Sequence, residues 1–233
     1  MRRSWSFFLP LIVVAVTVSS AAGADEPYYY LSPAQIDLVR VVPPPPTPGS
    51  VAQKRDVQAV LDAQNARTEA SIRKALGDDP KVVFRFADVL GPNFRADNLP
   101  FTAVFFQRIS SDGDAANNVI KAHHRRPRPF VVNPAITKGV EESTPTSYPT
   151  SHATFSYNVA ILLAAMVPEK AAALFERAAD YSWNRVILGV HFPSDIAGGR
   201  IAGSVIANVL LHDARFLADF ERAKAEVRRA LGL

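Results

Sequence analysis

The chain of 233 residues contains no cysteine. That absence removes disulfides, thiolate nucleophiles and Cys-ligated metals, and with them the cysteine-borne lipid anchor of bacterial lipoproteins. Glycine and proline are too sparse for a fibrous or disordered class, and 48% apolar residues suffice for a real core. Charge of one sign is scarce as well. The formal net charge is +4, and it falls to +2 when Arg2 and Arg3 are set aside with a leader segment. So weak a field does not mark a nucleic-acid binder, and no nucleic-acid partner is expected. Beyond residue 24 the longest apolar run, 159–167, is short of the roughly 20 residues that cross a bilayer, so no stable membrane insertion is expected. No internal repeat and no hairpin signal stand out. No Asp, Glu and His set has clear metal spacing, and the adjacent His123 and His124 do not converge on one helix face. Neither a metal nor another cofactor is expected.

The chain divides into three parts. Residues 1–24 have the marks of a secretory signal: Arg2 and Arg3, an apolar stretch over 7–18, and the small-x-small site Ala22-Gly23-Ala24. A secreted, periplasmic product is the expectation. Residues 25–50 form an arm in which Tyr28 to Leu31 can pack as an extended strip. Ser32 can cap a short helix through Val42 with Pro33 at its first position, and Pro43 to Pro46 form a rigid strap. Residues 51–233 form one domain.

Within that domain, residues 50–77 read as one helix, with Val57, Val60, Leu61, Ile72 and Leu76 at mostly helical steps, ended by Gly77-Asp78-Asp79-Pro80. Residues 82–90 and 101–109 also read as helices, separated by a loop over 91–100. Ser110-Ser111-Asp112 can cap another short helix leading into Lys121. Residues 127–149 read as a long loop of the kind that often carries function. Four helical stretches follow. Residues 153–167 are apolar enough to be a buried central helix, 169–190 form a helix with room for one break, and 193–212 carry Gly198, Gly199 and Gly203 for close helix contact. Asp213 caps an amphipathic C-terminal helix. The sum is an all-α bundle around a buried central helix.

Three clusters carry chemistry: Lys121-Ala-His-His-Arg-Arg-Pro-Arg128-Pro129, Tyr148-Pro149-Thr150-Ser151-His152, and Arg185-Val-Ile-Leu-Gly-Val-His191-Phe-Pro-Ser-Asp195. Pro193 suits the first turn of a helix, which places Asp195 where a carboxylate is favoured and within reach of His191 four residues back. Such a carboxylate can fix the imidazole tautomer and free the other nitrogen to attack. Thr150 and Ser151 sit at the start of the apolar helix, where free N–H groups attract an anion. Taken singly, each cluster also fits a plain role: a capping Asp beside a loop His, a capped helix, a solvated basic loop.

Taken together, the order and spacing Lys-x6-Arg-Pro, Pro-Thr-Ser-His and Arg-x5-His-x3-Asp resemble the signature of the phosphatidic acid phosphatase type 2 superfamily. Similarity to its bacterial class A non-specific acid phosphatases extends over most of the chain beyond the leader. It includes Tyr30-Leu31 with the Pro43–Pro46 run, Gly189 to Asp195, and Ala223-Lys224-Ala225-Glu226 near the end. The resemblance implies an all-α acid phosphatase acting on small phosphate monoesters without a metal. It implies His191 as nucleophile and phosphohistidine, oriented by Asp195, with His152 as acid and then base. Lys121, Arg128 and Arg185 would hold the phosphoryl oxygens with help from Thr150 and Ser151. The sequence departs from the family pattern where Thr150-Ser151 stands for Ser-Gly and Asn184 for Ser. Ser151 puts a β-carbon where glycine would let an oxygen approach the backbone. A lipid or isoprenoid diphosphate phosphatase, a vanadate-dependent haloperoxidase and a non-catalytic phosphate-binding protein remain the alternatives. Oligomeric state is left open, a homo-oligomer included.

Overall fold

The computed structural model describes residues 28–31 and 35–233, together with Met1. The leader segment and the Ser32–Pro33 helix start lie outside the described residues. Among the described residues there is no strand, only an isolated bridge between Pro127 and Thr146. The architecture is all-α.

The arm carries one helical turn, α1 (Leu38–Val41), capped by Asp37, so this helix begins later than residue 35. Residues 50–77 form two helices, α2 (Val51–Ala66) and α3 (Glu69–Gly77). The break comes from a capping box. The Thr68 hydroxyl accepts from the Ser71 N–H and the Ser71 hydroxyl accepts from the Thr68 N–H. Residues 83–86 wind as a 3-10 turn into α4 (Ala87–Leu90).

Residues 101–120 are not two helices but part of one, α5 (Pro100–His124). The expected cap, Asp112, lies in mid-helix and fully buried. Its carboxylate has found N–H donors elsewhere, accepting from Tyr29, Tyr30 and Leu31 at 2.6, 2.7 and 3.0 Å. The backbone of α5 therefore runs on unbroken, and Asp112 fastens the arm instead. Tyr30 donates its hydroxyl to Asp219 at 2.7 Å, and the Tyr148 hydroxyl donates to the Pro43 carbonyl, fixing the proline strap.

The long loop over 127–149 holds one turn, α6 (Pro129–Val132). Next comes α7 (Ser151–Met166), buried along nearly its whole length. A 3-10 turn over Pro168–Lys170 leads into α8 (Ala171–Ile187), which runs without a break. The last two helices are α9 (Pro193–Leu210) and α10 (Ala214–Leu231), the latter capped by Asp213, which accepts from Arg215 and Phe216. α7 packs along α8 and α9 and touches α5 and α10, so it is the centre of the bundle.

The glycine-lined contact of α9 with α7 is close. A β-carbon at Gly203 would stand 2.3 Å from the Thr154 carbonyl oxygen and 3.1 Å from the Asn158 nitrogen. Both are backbone atoms and cannot swing aside. Gly203→Ala would gain about 1 kcal/mol in helix propensity but forces α9 off α7. The expected net effect is a loss of about 1–3 kcal/mol, read as a lower denaturation midpoint in urea. A midpoint at or above that of the parent would show that the two helices separate without cost.

Candidate active site

The three sequence clusters meet at the N-terminal end of α7. Arg128 and Arg185 are both fully buried, each 1% exposed. Burying two guanidiniums side by side is costly unless both are paired, and the pairing converges on Glu142. Its Oε2 lies 2.7 Å from Arg128 Nη2, and its Oε1 accepts from Arg185 Nη2. Arg185 also donates to Asp79 Oδ1 at 2.6 Å, and Arg128 to the Thr144 carbonyl at 3.0 Å. Lys121 joins them through Thr144, whose Oγ1 takes Lys121 Nζ at 3.4 Å and Arg128 Nη2 at 3.2 Å. Burial, then the nearby Arg128 charge, pull the Lys121 ammonium down to about 8. A cavity of about 210 Å³ opens here, lined among others by Lys81, Lys121, Glu142, Ser151 and His152.

His191 lies behind the cradle, 1% exposed. Its Nε2 is 2.8 Å from Arg128 Nη1. Arginine can only donate, so Nε2 carries the lone pair and Nδ1 the proton. Nδ1 faces Asp195 Oδ2 at 3.4 Å. Asp195 is fully buried in the first turn of α9. Its Oδ2 also accepts from the Phe192 N–H at 2.8 Å, and its Oδ1 takes Arg126 Nη1 at 2.5 Å. Burial pushes the Asp195 carboxyl up, while Arg126 and the Phe192 N–H pull it down. Arg126 is held in turn by Gln53, Asp56 and Ser194, with its guanidinium 4.2 Å from the centre of the Phe192 ring.

His152 is in the first turn of α7. Its Nε2 lies 2.8 Å from the Asp79 carbonyl oxygen, so Nε2 carries the proton and Nδ1 the lone pair. Among the described residues, Nδ1 of His152 and Nε of Arg185 are buried and have no hydrogen-bond partner. Both imidazoles sit well below the usual histidine range. Burial is the first cause for each. Arg185 adds to it at His152, and Arg128, Lys121 and Arg185 add to it at His191. Among the described residues no three His, Asp or Glu side chains are grouped to hold a metal ion.

Thr150 lies beneath the cavity rather than on it. It is fully buried, its N–H donates to the Asp195 carbonyl at 3.2 Å, and its hydroxyl accepts from the His152 N–H at 3.3 Å. Ser151, the first residue of α7, is half-buried and faces the cavity. Asn184 donates to Asp78 Oδ2 at 2.7 Å, so it braces the turn before Asp79. The wall comes from residues 142–144 of the long loop, as the loop's length implies. Loops 91–100 and 127–149 are the expected wall, but 91–100 does not border this cavity, and α5 supplies Asp114 and Asn118. Sequence reasoning did not single out Asp79, Arg126 or Glu142. Asp78-Asp79-Pro80 reads as a helix stop and Arg126 as one charge in a basic run. Nothing local marks Glu142.

Fold and site thus define an all-α protein with three buried cations, Lys121, Arg128 and Arg185, gathered near two buried histidines. Comparison places it further: the chain belongs to the PAP2 superfamily, whose family model matches residues 102–218. It is 30% identical to the acid phosphatase of Zymomonas mobilis subsp. mobilis over 92% of this chain and 84% of that one. It is 28% identical to the non-specific acid phosphatase of Salmonella typhi over 97% of this chain and 90% of the relative. In fold it is similar to the crystal structure of a transmembrane PAP2 type phosphatidylglycerolphosphate phosphatase from Bacillus subtilis. That match has a TM-score of 0.51 and 18% identity, covering 73% of this chain and 87% of the other. Among the described residues of the present chain, no single helix is long and apolar enough to cross a membrane.

Proposed function

We propose that this protein is an exported acid phosphatase that hydrolyses phosphate monoesters through a phosphohistidine on His191. The observation that carries the reading is the convergence of Lys121, Arg128 and Arg185 beside the Nε2 lone pair of His191. The acid phosphatase relatives, similar over most of the chain, support it.

The chemistry follows from the donor inventory. Three cations, Arg185 with its free Nε among them, receive the phosphoryl oxygens, with Ser151 N–H at the helix start as a further donor. Nε2 of His191 attacks phosphorus as the ester P–O bond breaks, and its electron pair leaves with the alcohol oxygen. His152, protonated at Nδ1 while Nε2–H stays on the Asp79 carbonyl, gives that oxygen its proton. Asp195 stabilises the cationic phosphoimidazole. Water, deprotonated by the now neutral His152, then attacks phosphorus. The P–N bond breaks, phosphate departs and His191 returns neutral. Positioning and charge stabilisation suffice for such a transfer.

Denaturing the enzyme during turnover of a radiolabelled monoester, with a chelator present, tests the reading. Acid-labile, alkali-stable label on the wild-type chain, absent from His191→Ala, is the expected result. Turnover without trapped label, or turnover lost to the chelator, overturns it.

The pH profile follows from the two lowered imidazoles. His152 must be charged to act as acid, and its depressed value keeps it charged only below the ordinary 6.5. His191 must be neutral, and its depressed value keeps it neutral into the acid range. kcat/KM is therefore expected to peak below about pH 6.5 and to fall as pH rises through the His152 value. A profile flat to pH 8 would remove His152 from the acid role.

A further inference from the structure

Glu142 lies between the two buried guanidiniums proposed to hold the phosphoryl group. Its two carboxylate oxygens are divided between two guanidiniums, Arg128 and Arg185. A bridging phosphate would divide two of its oxygens in the same way. The side chain is 13% exposed and lines the same cavity as Lys121, Ser151 and His152. No helix holds it. It belongs to the irregular stretch between α6 and α7, where Thr144, two residues on, also contacts Arg128 and Lys121.

We propose that Glu142 is an internal competitor for the anion cradle, one that the substrate phosphoryl group must displace and that returns as phosphate leaves. The proposal rests on the phosphate chemistry proposed for this site. Its physical basis is the cost of two adjacent buried guanidiniums. Left empty, the cradle would leave Arg128 without a carboxylate partner and Arg185 with Asp79 alone, and Glu142 neutralises the excess charge between turnovers. The same contact lowers the apparent affinity for any anion by the fraction of molecules in which the seat is free. The competitor therefore acts alike on substrate and product. It raises KM and the dissociation constant of inorganic phosphate together, and it keeps the product from holding the site. The departing carboxylate also draws residues 141–144 away from the cradle, so anion binding loosens this part of the loop rather than tightening it.

The experiment is calorimetric titration of inorganic phosphate into the wild-type protein, Glu142→Gln and Glu142→Ala at one pH and ionic strength. It is paired with amide exchange over residues 139–146 and with aryl phosphate kinetics. If Glu142 holds the seat in about nine molecules of ten, phosphate binds Glu142→Ala about tenfold more tightly. Glu142→Gln lies between, KM falls by a similar factor, and exchange of the wild-type loop speeds up when phosphate is added. Unchanged or weaker phosphate binding in both variants overturns the proposal. So does a kcat loss beyond a hundredfold in Glu142→Gln, which would place Glu142 in the chemistry. Tighter phosphate binding in the variants without any turnover by the wild type would uphold the competitor and sink the phosphatase reading instead. Absence of phosphate binding in all three proteins overturns both.

Discussion

His191→Ala is expected to lower kcat for an aryl phosphate by about 10⁴-fold or more, while inorganic phosphate still binds within a few-fold of the wild-type affinity. The two halves of this result have separate causes. Among the described residues, His191 Nε2 is the imidazole lone pair that contacts the cradle from behind, through Arg128 Nη1. His152, which lines the cavity, has its Nε2–H committed to the Asp79 carbonyl. Removing His191 thus removes the proposed nucleophile without supplying a second one. The cradle keeps its other supports. Arg128 remains bonded to the Val190 and Thr144 carbonyls at 3.0 Å each, and Arg185 to Asp79. Phosphate binding should therefore outlast turnover, which calorimetry and a burst-phase assay can read on the same sample. Residual activity within a hundredfold of wild type would mean that water attacks directly and that His191 only positions Arg128.

The His191–Asp195 pair was legible because both partners belong to one local element. Pro193 sets the start of α9, and a spacing of four brings the carboxylate back to the imidazole across that first turn. The capping of α10 by Asp213 was legible for the same reason. Lys121, Arg128 and Arg185 could be picked out as a motif, yet nothing in their spacing says that they meet around Glu142 and Thr144. That meeting depends on how a loop between α6 and α7 folds back, and only the tertiary structure supplies it. Arg126 illustrates the same limit. It reads as one charge in a basic run, but its partners Gln53, Asp56 and Asp195 lie about 70 residues away on either side. Helix boundaries failed where a polar side chain chose a remote partner over a local one. Asp112 could have capped a new helix, but the three N–H groups of the arm satisfy it better and α5 continues. At Thr68 the opposite holds: the local capping box wins and splits one apolar pattern into α2 and α3.

The second large effect concerns stability, at a residue with no direct contact to the cavity. Asp78→Ala is expected to destabilise the fold by about 3–5 kcal/mol. Asp78 is fully buried at the end of α3. Its Oδ1 accepts from Arg177 Nη2 at 2.6 Å and Arg85 Nε at 2.9 Å, and its Oδ2 from Arg177 Nη1 at 2.9 Å and Asn184 Nδ2 at 2.7 Å. Truncation strands four donors. The worst placed is Arg177, whose side chain is 5% exposed and whose remaining carboxylate partner, Asp88, is 63% exposed. The exposed pair Lys74–Asp180, at 3.0 Å with 51% and 61% exposure, supplies the contrast. Lys74→Ala should cost no more than about 1 kcal/mol, because water screens the pair and competes for both groups. Urea denaturation separates the two, with the midpoint of Asp78→Ala falling steeply at an unchanged slope. A change below about 1 kcal/mol at Asp78 would show that Arg177 and Arg85 find water or other partners, contrary to the burial argument. The same substitution should also lower activity in the folded fraction, since Asp78 fixes the turn from which Asp79 holds both His152 and Arg185. Saturating phosphate should recover part of the lost midpoint, because a ligand that binds only the folded chain shifts the equilibrium towards it. A stability loss that phosphate leaves untouched would separate the Asp78 network from the anion site.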